Sequence, residues 1–263
     1  MISELTELED LRTLARIFAE IWGRPGEPPV DSDVLMALVL SGNYVAGADV
    51  DGRLVGGLIG WLGGPPSDHL HLHSHILGIA AGSQVRGLGF ELKQHQRTWC
   101  LERGVKAIEW TFDPLVRRNA YFNLNKLGAE ARSYLVNFYG EMADGINAGE
   151  ESDRILIEWR LDSPKAAAAA AGRPLEPSAD DLQHRQVDAL LSIGAGGEPV
   201  RGTSTDGVVM CQVPDDIVAL RRSDPLLARA WRIAVRDAMK PAFDAGYRIT
   251  GVTRTGWYIL ERG

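Results

Sequence analysis

The feature that most constrains the fold is a glycine-containing stretch, Gln84-Val85-Arg86-Gly87-Leu88-Gly89, between segments of different periodicity. Residues 70–81 before it alternate and are rich in β-forming residues, which predicts a strand ending near Ala80. Residues 90–103 after it have the apolar spacing and composition of a helix. A helix that begins directly after such a loop directs unpaired N–H groups and its positive dipole end outward. The stretch therefore predicts an anion site, most simply for a phosphate or pyrophosphate.

The composition limits the class of protein. A chain of 263 residues with 45% hydrophobic residues can bury a core without cross-links. The formal net charge of -7 argues against a nucleic-acid partner, because such binding rests mainly on Lys and Arg. Cys100 and Cys211 lie in patterns typical of core faces, and the first residues do not resemble a signal peptide, so we expect a cytoplasmic protein. We expect no membrane partner, because no window has the ~20 apolar residues that span a bilayer.

The order of predicted elements over residues 1–162 is β, α, α, β, β, β, α, β, α, β, β. Asp51-Gly52 is a strong hairpin signal and predicts antiparallel strands over 43–50 and 54–62. The strands over 70–80 and 105–112 are joined through a helix, which predicts a parallel pair. Gly104 is expected to end that helix in a left-handed conformation.

The chain is predicted to have three parts: a first domain at 1–162, a linker at 163–180 and a C-terminal α/β extension at 181–263. In the extension we expect a helix over 182–191, a strand over 207–213, a long helix over 225–245 and one or two strands over 247–260. So small a unit buries little core, so we expect it to pack on the first domain or on a second copy of the chain, as in a homodimer. The arginines of its long helix are expected on a solvated face: Arg229, Arg232 and Arg236.

The loop at 84–89, with the strand ending at Ile79 and the helix from Phe90, resembles motif A of the GNAT acyltransferases, whose pattern is Q/R-x-x-G-x-G/A. Residues 119–128 are similar to the family's motif B helix, which ends in Lys-x-Gly. The runs at 110–115, 119–123 and 137–140 also resemble a bacterial group of GNAT enzymes with a C-terminal extension. The resemblance implies an α/β (α+β) GNAT fold with a mixed, mostly antiparallel sheet and a splayed parallel pair, plus a small C-terminal α/β half-domain.

The resemblance also implies an N-acyltransferase that uses acetyl-CoA or another acyl-CoA. The pyrophosphate would lie on backbone N–H groups of residues 85–90, where Gly87 and Gly89 let the backbone approach. The pantetheine arm would lie where the strand of residues 77–79 splays from its neighbour, and a backbone N–H there would polarise the thioester carbonyl. For Asn119 and Asn123, helix capping stays an equal alternative. The expected cofactor-binding residues are Leu77, Gly78, Ile79, Gln84, Val85, Arg86, Gly87, Leu88, Gly89, Phe90, Asn119 and Asn123.

Acyl transfer to an amine needs a base that removes a proton from the acceptor ammonium. His71, His73 and His75 alternate and share one face of the strand, and His75 lies nearest the acyl site. Three interpretations stay open: a base or substrate contact at His75, a zinc site formed by the three residues, and hydrogen-bonded sheet histidines. We expect no metal, because neighbours on one strand converge poorly on one ion.

The sequence indicates the general acid of the reaction less clearly than the base. The family's motif B tyrosine falls at Leu124, so Tyr121 and Tyr139 are the candidate replacements. We expect direct attack by a small amine or amino acid, because neither cysteine is placed as a nucleophile. Two other classes stay open: a non-catalytic acyl-CoA-binding or regulatory module, and a protein acetyltransferase. For Asp113 and Asp153, turn chemistry and packing are favoured over a pocket wall.

Overall fold

The computed structural model describes residues 1–65, 69–83, 85–141, 151–174, 176–177 and 186–263. The chain forms two compact units, of which the first contains Met1–Trp110 and the second contains most of the chain from Thr111 onward. Among the helices described, none combines the length and the apolar character needed to cross a membrane. The domain boundaries at 162 and 181, and the cytoplasmic location, stay predictions.

The first unit is built on a mixed sheet with the strand order β1-β2-β3-β4-β5. β1 to β4 pair antiparallel in sequence, and β4 pairs parallel with β5. The strands are β1 (Ile2–Glu4), β2 (Tyr44–Val50), β3 (Arg53–Gly63), β4 (His71–Ile79) and β5 (Ala107–Phe112).

The turn between β2 and β3 confirms the predicted hairpin. Asp51 and Gly52 have φ values of 52° and 77°, and two positive φ values in a row are what a type I′ turn requires. The Asp49 carboxylate accepts a hydrogen bond from Gly52 N–H at 2.8 Å, which further fixes the turn.

Three helices accompany this sheet: α1 (Leu8–Ile21), α2 (Ser32–Leu40) and α3 (Leu88–Glu102). α1 buries the face that carries Leu11, Leu14 and Phe18, and these side chains form a core with Val45 and Ile59 of the sheet. α3 ends as predicted, because Gly104 adopts φ 74° and donates a hydrogen bond to Leu101 O at 3.1 Å.

The sheet continues in the order β5-β7-β6, and the second unit contains the last residues of β5. Here β6 (Glu130–Leu135) pairs antiparallel with β7 (Arg154–Arg160). A separate five-stranded sheet has the order β11-β12-β10-β8-β9. Its strands are β8 (Asp188–Ile193), β9 (Pro199–Arg201), β10 (Val208–Gln212), β11 (Tyr247–Val252) and β12 (Trp257–Arg262). The α/β class, the mostly antiparallel sheet with one parallel pair and the smaller C-terminal sheet are confirmed.

Within the described residues of the second unit, the helices are α4 (Arg117–Ala120), which continues into a π-helical turn (Tyr121–Lys126), then α5 (Pro164–Ala170), α6 (Ile217–Ser223) and α7 (Pro225–Asp244). The long helix predicted over 225–245 is confirmed. The helix predicted over 182–191 is wrong for its described end, because residues 188–193 form β8 beside β10. A short apolar run fits either structure, and pairing with a distant strand decides the outcome. The alanines of the predicted linker form α5.

Candidate functional site

Strand β4 is irregular near its centre. Its register with β3 pairs Ser74 with Gly60 and Ile76 with Ile59, so His75 is an extra residue between two regular pairs. A bulge of this kind bends the strand and redirects the extra residue, and bulges are frequent next to active sites. The strand segment in which the sequence predicts acyl transfer therefore has a locally altered backbone at His75.

The parallel pair β4 and β5 separates beyond this point. The pairing consists of Leu72 with Ile108 and His73 with Glu109, and within the described residues it does not continue along residues 74–79. Backbone N–H and C=O groups on that edge of β4 do not pair with β5 and can form hydrogen bonds with another partner. The pairing therefore ends before the part of β4 that leads into the glycine-containing loop.

The loop before α3 has the geometry of an anion site. Gly87 is the N-cap residue with φ 97°, and no side chain caps the helix. The N–H groups of Phe90 and Glu91 donate to Gly87 O at 2.9 and 3.0 Å, whereas those of Leu88 and Gly89 come first at the positive end of the helix. A Cβ on Gly87 would have Glu91 Oε1 as its nearest neighbour, 4.0 Å away, so the space in front of the loop is open.

The other expected cofactor residues of the first unit lie around this loop. Val85 and Arg86 are exposed, Leu88 is buried, and Phe90 is half-buried. Leu77 on β4 reaches the start of α3, since a Cβ built on Gly89 would lie 3.5 Å from Leu77 Cδ2.

Gly78 and Ile79 of β4 lie next to other elements of the first unit. Gly78 faces the other way, where a Cβ would lie 2.9 Å from Ile21 Cδ1 of α1. Ile79 pairs with Gly56 of β3. Gln84 lies outside the described residues.

Aromatic rings line the face of β4 that carries the bulge. The Trp61 ring lies 5.0 Å from the His73 ring and 4.7 Å from the His75 ring, between centroids. Burial, with smaller contributions from His75 and His71, lowers the pKa of His73 to about 4. Loss of solvent also lowers the pKa of His75, which keeps an exposed edge. Both imidazoles are therefore neutral near pH 7 and able to accept a proton.

A second group of ligand-type side chains lies at the start of β4. Ligand atoms of His69, His71 and Glu109 lie within 4.8 Å of one another. Glu109 Oε1 is 2.8 Å from His69 Nε2, and Glu109 Oε2 is 3.7 Å from His71 Nε2. Sequence analysis missed His69 and Glu109 because they approach each other only through the parallel pairing of β4 with β5.

Lys93 is another residue that sequence analysis missed. It lies on the buried face of α3, where its Nζ donates to Ser74 Oγ at 2.7 Å and Gln96 Oε1 at 3.2 Å and lies 3.7 Å from the centre of the Trp110 ring. Burial lowers its pKa to about 7. The sequence contains a signal for this burial in the helical spacing of three residues. Lys93, Gln96 and Cys100 share the buried face of the helix.

The motif B residues belong to the second unit. Asn119 is exposed on α4, whereas Asn123 is buried in the π-helical turn and its carbonyl accepts from Ala129 N–H at 3.0 Å. The π-helical turn is wider than an α-helical turn. The two asparagines differ in exposure, and their predicted cofactor role stays a prediction.

The two candidate tyrosines have different surroundings in the second unit. The Tyr121 hydroxyl donates to Glu176, and burial together with this carboxylate raises the pKa of Tyr121 to about 12. The Tyr139 hydroxyl lies 3.2 Å from Thr111 Oγ1 of β5, and the residue is 45% exposed. Tyr139 is therefore the more accessible of the two hydroxyls.

Asp113 and Asp153 bind arginines of the long helix α7. Asp113 accepts two hydrogen bonds from Arg232, at 2.8 and 2.7 Å, and one from Arg221 at 2.8 Å. Arg236 Nε donates to Asp153 at 2.9 Å. The solvated face predicted for Arg232 and Arg236 is therefore wrong, because carboxylates distant in sequence pair with both arginines.

Comparisons with known proteins match part of the chain. A model of the acetyltransferase (GNAT) family matches residues 9–128. An N-acetyltransferase from Staphylococcus aureus Mu50 has a similar fold, with a TM-score of 0.52 and 15% identity over 62% of this chain and 98% of that chain. A ribosomal-protein-alanine N-acetyltransferase from Brucella melitensis gives a TM-score of 0.49 and 18% identity over 60% of this chain and 98% of that chain. The comparison with curated proteins gave no match.

Proposed function

Through residues 9–128 this chain belongs to the acetyltransferase (GNAT) family, and we propose that it moves an acetyl or other short acyl group from acyl-CoA to a small amine or an amino acid. Membership confirms the resemblance predicted from motif A, the class of acyl-CoA-dependent N-acyltransferase and the use of acetyl-CoA. The likeness to the bacterial group with a C-terminal extension stays a prediction.

The observation that carries the proposal is the combination of the split between β4 and β5 with the open glycine loop that follows β4. We assign the pyrophosphate to backbone N–H groups of residues 85–90, with Gln84 and Arg86 adding side-chain contacts. The unpaired edge of β4 over Leu77–Ile79 would hold the pantetheine arm. Acyl-CoA supplies the thioester that the amine attacks.

His75 is our candidate for the base. It is the extra residue of the bulge, its edge is exposed, and its lowered pKa keeps the imidazole neutral near pH 7. A neutral imidazole within reach of the acceptor can take the ammonium proton directly or through one water. The ring of Trp61 beside it offers a face that attracts a cationic ammonium before the proton is removed.

The chain also offers groups for the oxyanion and the leaving thiolate. A backbone N–H of Leu77–Ile79, on the edge of β4 that does not pair with β5, would stabilise the charge that develops on the thioester oxygen. We assign proton return to the thiolate to Tyr139 rather than Tyr121. The Tyr121 proton is held by Glu176, whereas Tyr139 is exposed beside Thr111.

Direct attack by the amine is supported by the state of the cysteines. Cys100 and Cys211 are both buried and free, and burial raises the pKa of each thiol to about 12. A cysteine can act as the nucleophile of a covalent acyl-enzyme only as an accessible thiolate. Neither residue meets that requirement, which supports direct passage of the acyl group from acyl-CoA to the acceptor.

Release of free thiol from acetyl-CoA across a panel of amino acids, simple amines and peptides with a free N-terminus tests this function. We expect turnover with at least one amino acid or simple amine, and a mass increase of the acceptor by one acyl group. Turnover confined to peptides would identify a protein acetyltransferase instead. Acetyl-CoA binding by calorimetry without turnover on any acceptor would identify a non-catalytic module.

A further inference from the structure

We propose that His69, His71 and Glu109 form a binding site for a divalent transition-metal ion of the zinc class. The three residues come from the segment that leads into β4, the first residue of β4 and the centre of β5. Their ligand atoms lie within 4.8 Å of one another, so small movements of the side chains would bring all three into contact with one ion. The site does not depend on the acyl-transfer proposal, because it is defined by these residues alone.

The hydrogen bonding of His71 prepares one nitrogen for a metal. His71 Nδ1 lies 3.0 Å from the backbone carbonyl oxygen of His69 and, as the donor to it, carries the ring proton. Nε2 then keeps its lone pair and faces Glu109 Oε2 at 3.7 Å. Metal-bound histidines usually donate their second ring N–H to a carbonyl or carboxylate in this way.

One of the distances is already close to that of tetrahedral coordination, and another needs a small adjustment. Bonds of about 2.0–2.1 Å around zinc place ligand atoms roughly 3.4 Å apart. The separation of 3.7 Å between His71 Nε2 and Glu109 Oε2 is close to that value. His69 Nε2 and Glu109 Oε1, now hydrogen-bonded at 2.8 Å, must move apart by a small amount, which the 51% exposed His69 side chain can do.

The backbone around the site is held in place from two sides. The backbone of His73 pairs with that of Glu109, which fixes the Cα of Glu109 beside β4. The end of β3 packs on His71, where a Cβ on Gly63 would lie 3.2 Å from His71 Nε2. A Cβ on Gly64 would lie 2.1 Å from the His69 carbonyl oxygen. Because both positions are glycine, the His71 imidazole and the carbonyl oxygen that it binds fit beside the end of β3.

The ligand set selects the class of ion. Imidazole nitrogens favour zinc and its neighbours in the first transition series, whereas calcium and magnesium prefer oxygen ligands. Three protein ligands leave a fourth position for water or another exchangeable ligand. The site includes residues next to the place where β4 pairs with β5. A bound ion would therefore connect the two strands close to the point where their pairing ends.

The test is metal binding by the full chain after dialysis against a chelator. Titration with zinc chloride by calorimetry, and with cobalt(II) by visible absorption, reports affinity, stoichiometry and geometry without any assay of acyl transfer. We expect one zinc per chain and the intense absorption of tetrahedral cobalt. His69→Gln, His71→Gln and Glu109→Gln should each weaken zinc binding by at least about tenfold, since each removes a ligand.

His75→Gln is the matched control, because it removes a histidine from the same strand outside the group and should leave zinc affinity unchanged. His69→Gln carries the most weight among the variants, since this half-exposed residue can be replaced without loss of the fold, which circular dichroism would verify. Binding of zinc by His69→Gln or Glu109→Gln as tightly as by the unaltered chain would overturn the site. So would the failure of the unaltered chain to bind one ion.

Discussion

At the scale of single residues, Lys93 makes the stability of the protein depend on pH. Its pKa is 10.5 in an unfolded chain and about 7 in the folded one, because it is buried. Between these values the unfolded state binds more protons, so stability rises with pH, by at most about 1.4 kcal/mol per unit. Below about pH 7 both states carry the charge, and this dependence disappears.

Replacing Lys93 by methionine should therefore remove a rise in stability between pH 7 and pH 10. The free energy of unfolding in urea is measured at several pH values for both chains. The value for Lys93→Met is then subtracted from the value for the unaltered chain at each pH. Lys126→Met, at an exposed position, is the control and should leave the profile unchanged. An equal pH profile for the unaltered chain and Lys93→Met would show that Lys93 keeps its proton in the folded state.

His75 should matter for rate rather than for folding. As the base of the reaction, its replacement in His75→Gln should lower kcat by about a hundredfold or more, in the range found for general bases. The fall should be smaller at high pH, where a larger fraction of the amine is already deprotonated. His95→Gln is the control, because His95 lies on α3 and contacts the Tyr44 hydroxyl at 2.8 Å instead of the bulge.

At the scale of elements, the loop before α3 should determine acyl-CoA affinity. Gly87→Ala places a Cβ on a residue with φ 97° and in the open space assigned to the pyrophosphate, so KM for acetyl-CoA should rise about tenfold or more. Gly104→Ala imposes a similar backbone strain, at φ 74°, on the other end of the same helix. It should lower stability by about 1 kcal/mol and leave KM unchanged. Equal KM values for the two variants would remove the loop from the cofactor site.

Elements with a local signal could be predicted, whereas features that depend on pairing could not. The loop, α3 and the Asp51-Gly52 hairpin follow from residues adjacent in sequence. The bulge at His75 is a mismatch of register between two strands, which the alternation of one strand does not reveal. The grouping of His69 with Glu109 depends on the parallel pair in the same way. The helix predicted where β8 lies is wrong because the partner strand β10 is some 20 residues away and is not visible in the local pattern.

At the scale of the whole molecule, the predicted extension and the end of the predicted first domain share one compact unit. Asp113 precedes Arg232 by 119 residues, yet the two side chains form a buried, doubly hydrogen-bonded pair. Burial alone would raise the pKa of Asp113, but the charges and hydrogen bonds of Arg232 and Arg221 lower it well below its usual range. The partner that buries Arg232 could not be found from the periodicity of α7.

This pair predicts how the chain responds to loss of the carboxylate or of the extension. Asp113→Asn removes the carboxylate that accepts hydrogen bonds from the buried Arg232 and Arg221, and it should lower the free energy of unfolding by about 3–5 kcal/mol. Asp215→Asn, which breaks the exposed ion pair with Arg117, should cost less than about 1 kcal/mol. A chain ending at residue 162 would leave Asp113 without both arginines, so it should be less stable than the full chain by at least as much as Asp113→Asn. A truncated chain that unfolds in urea at the same midpoint as the full chain would mean that the extension is an independent domain.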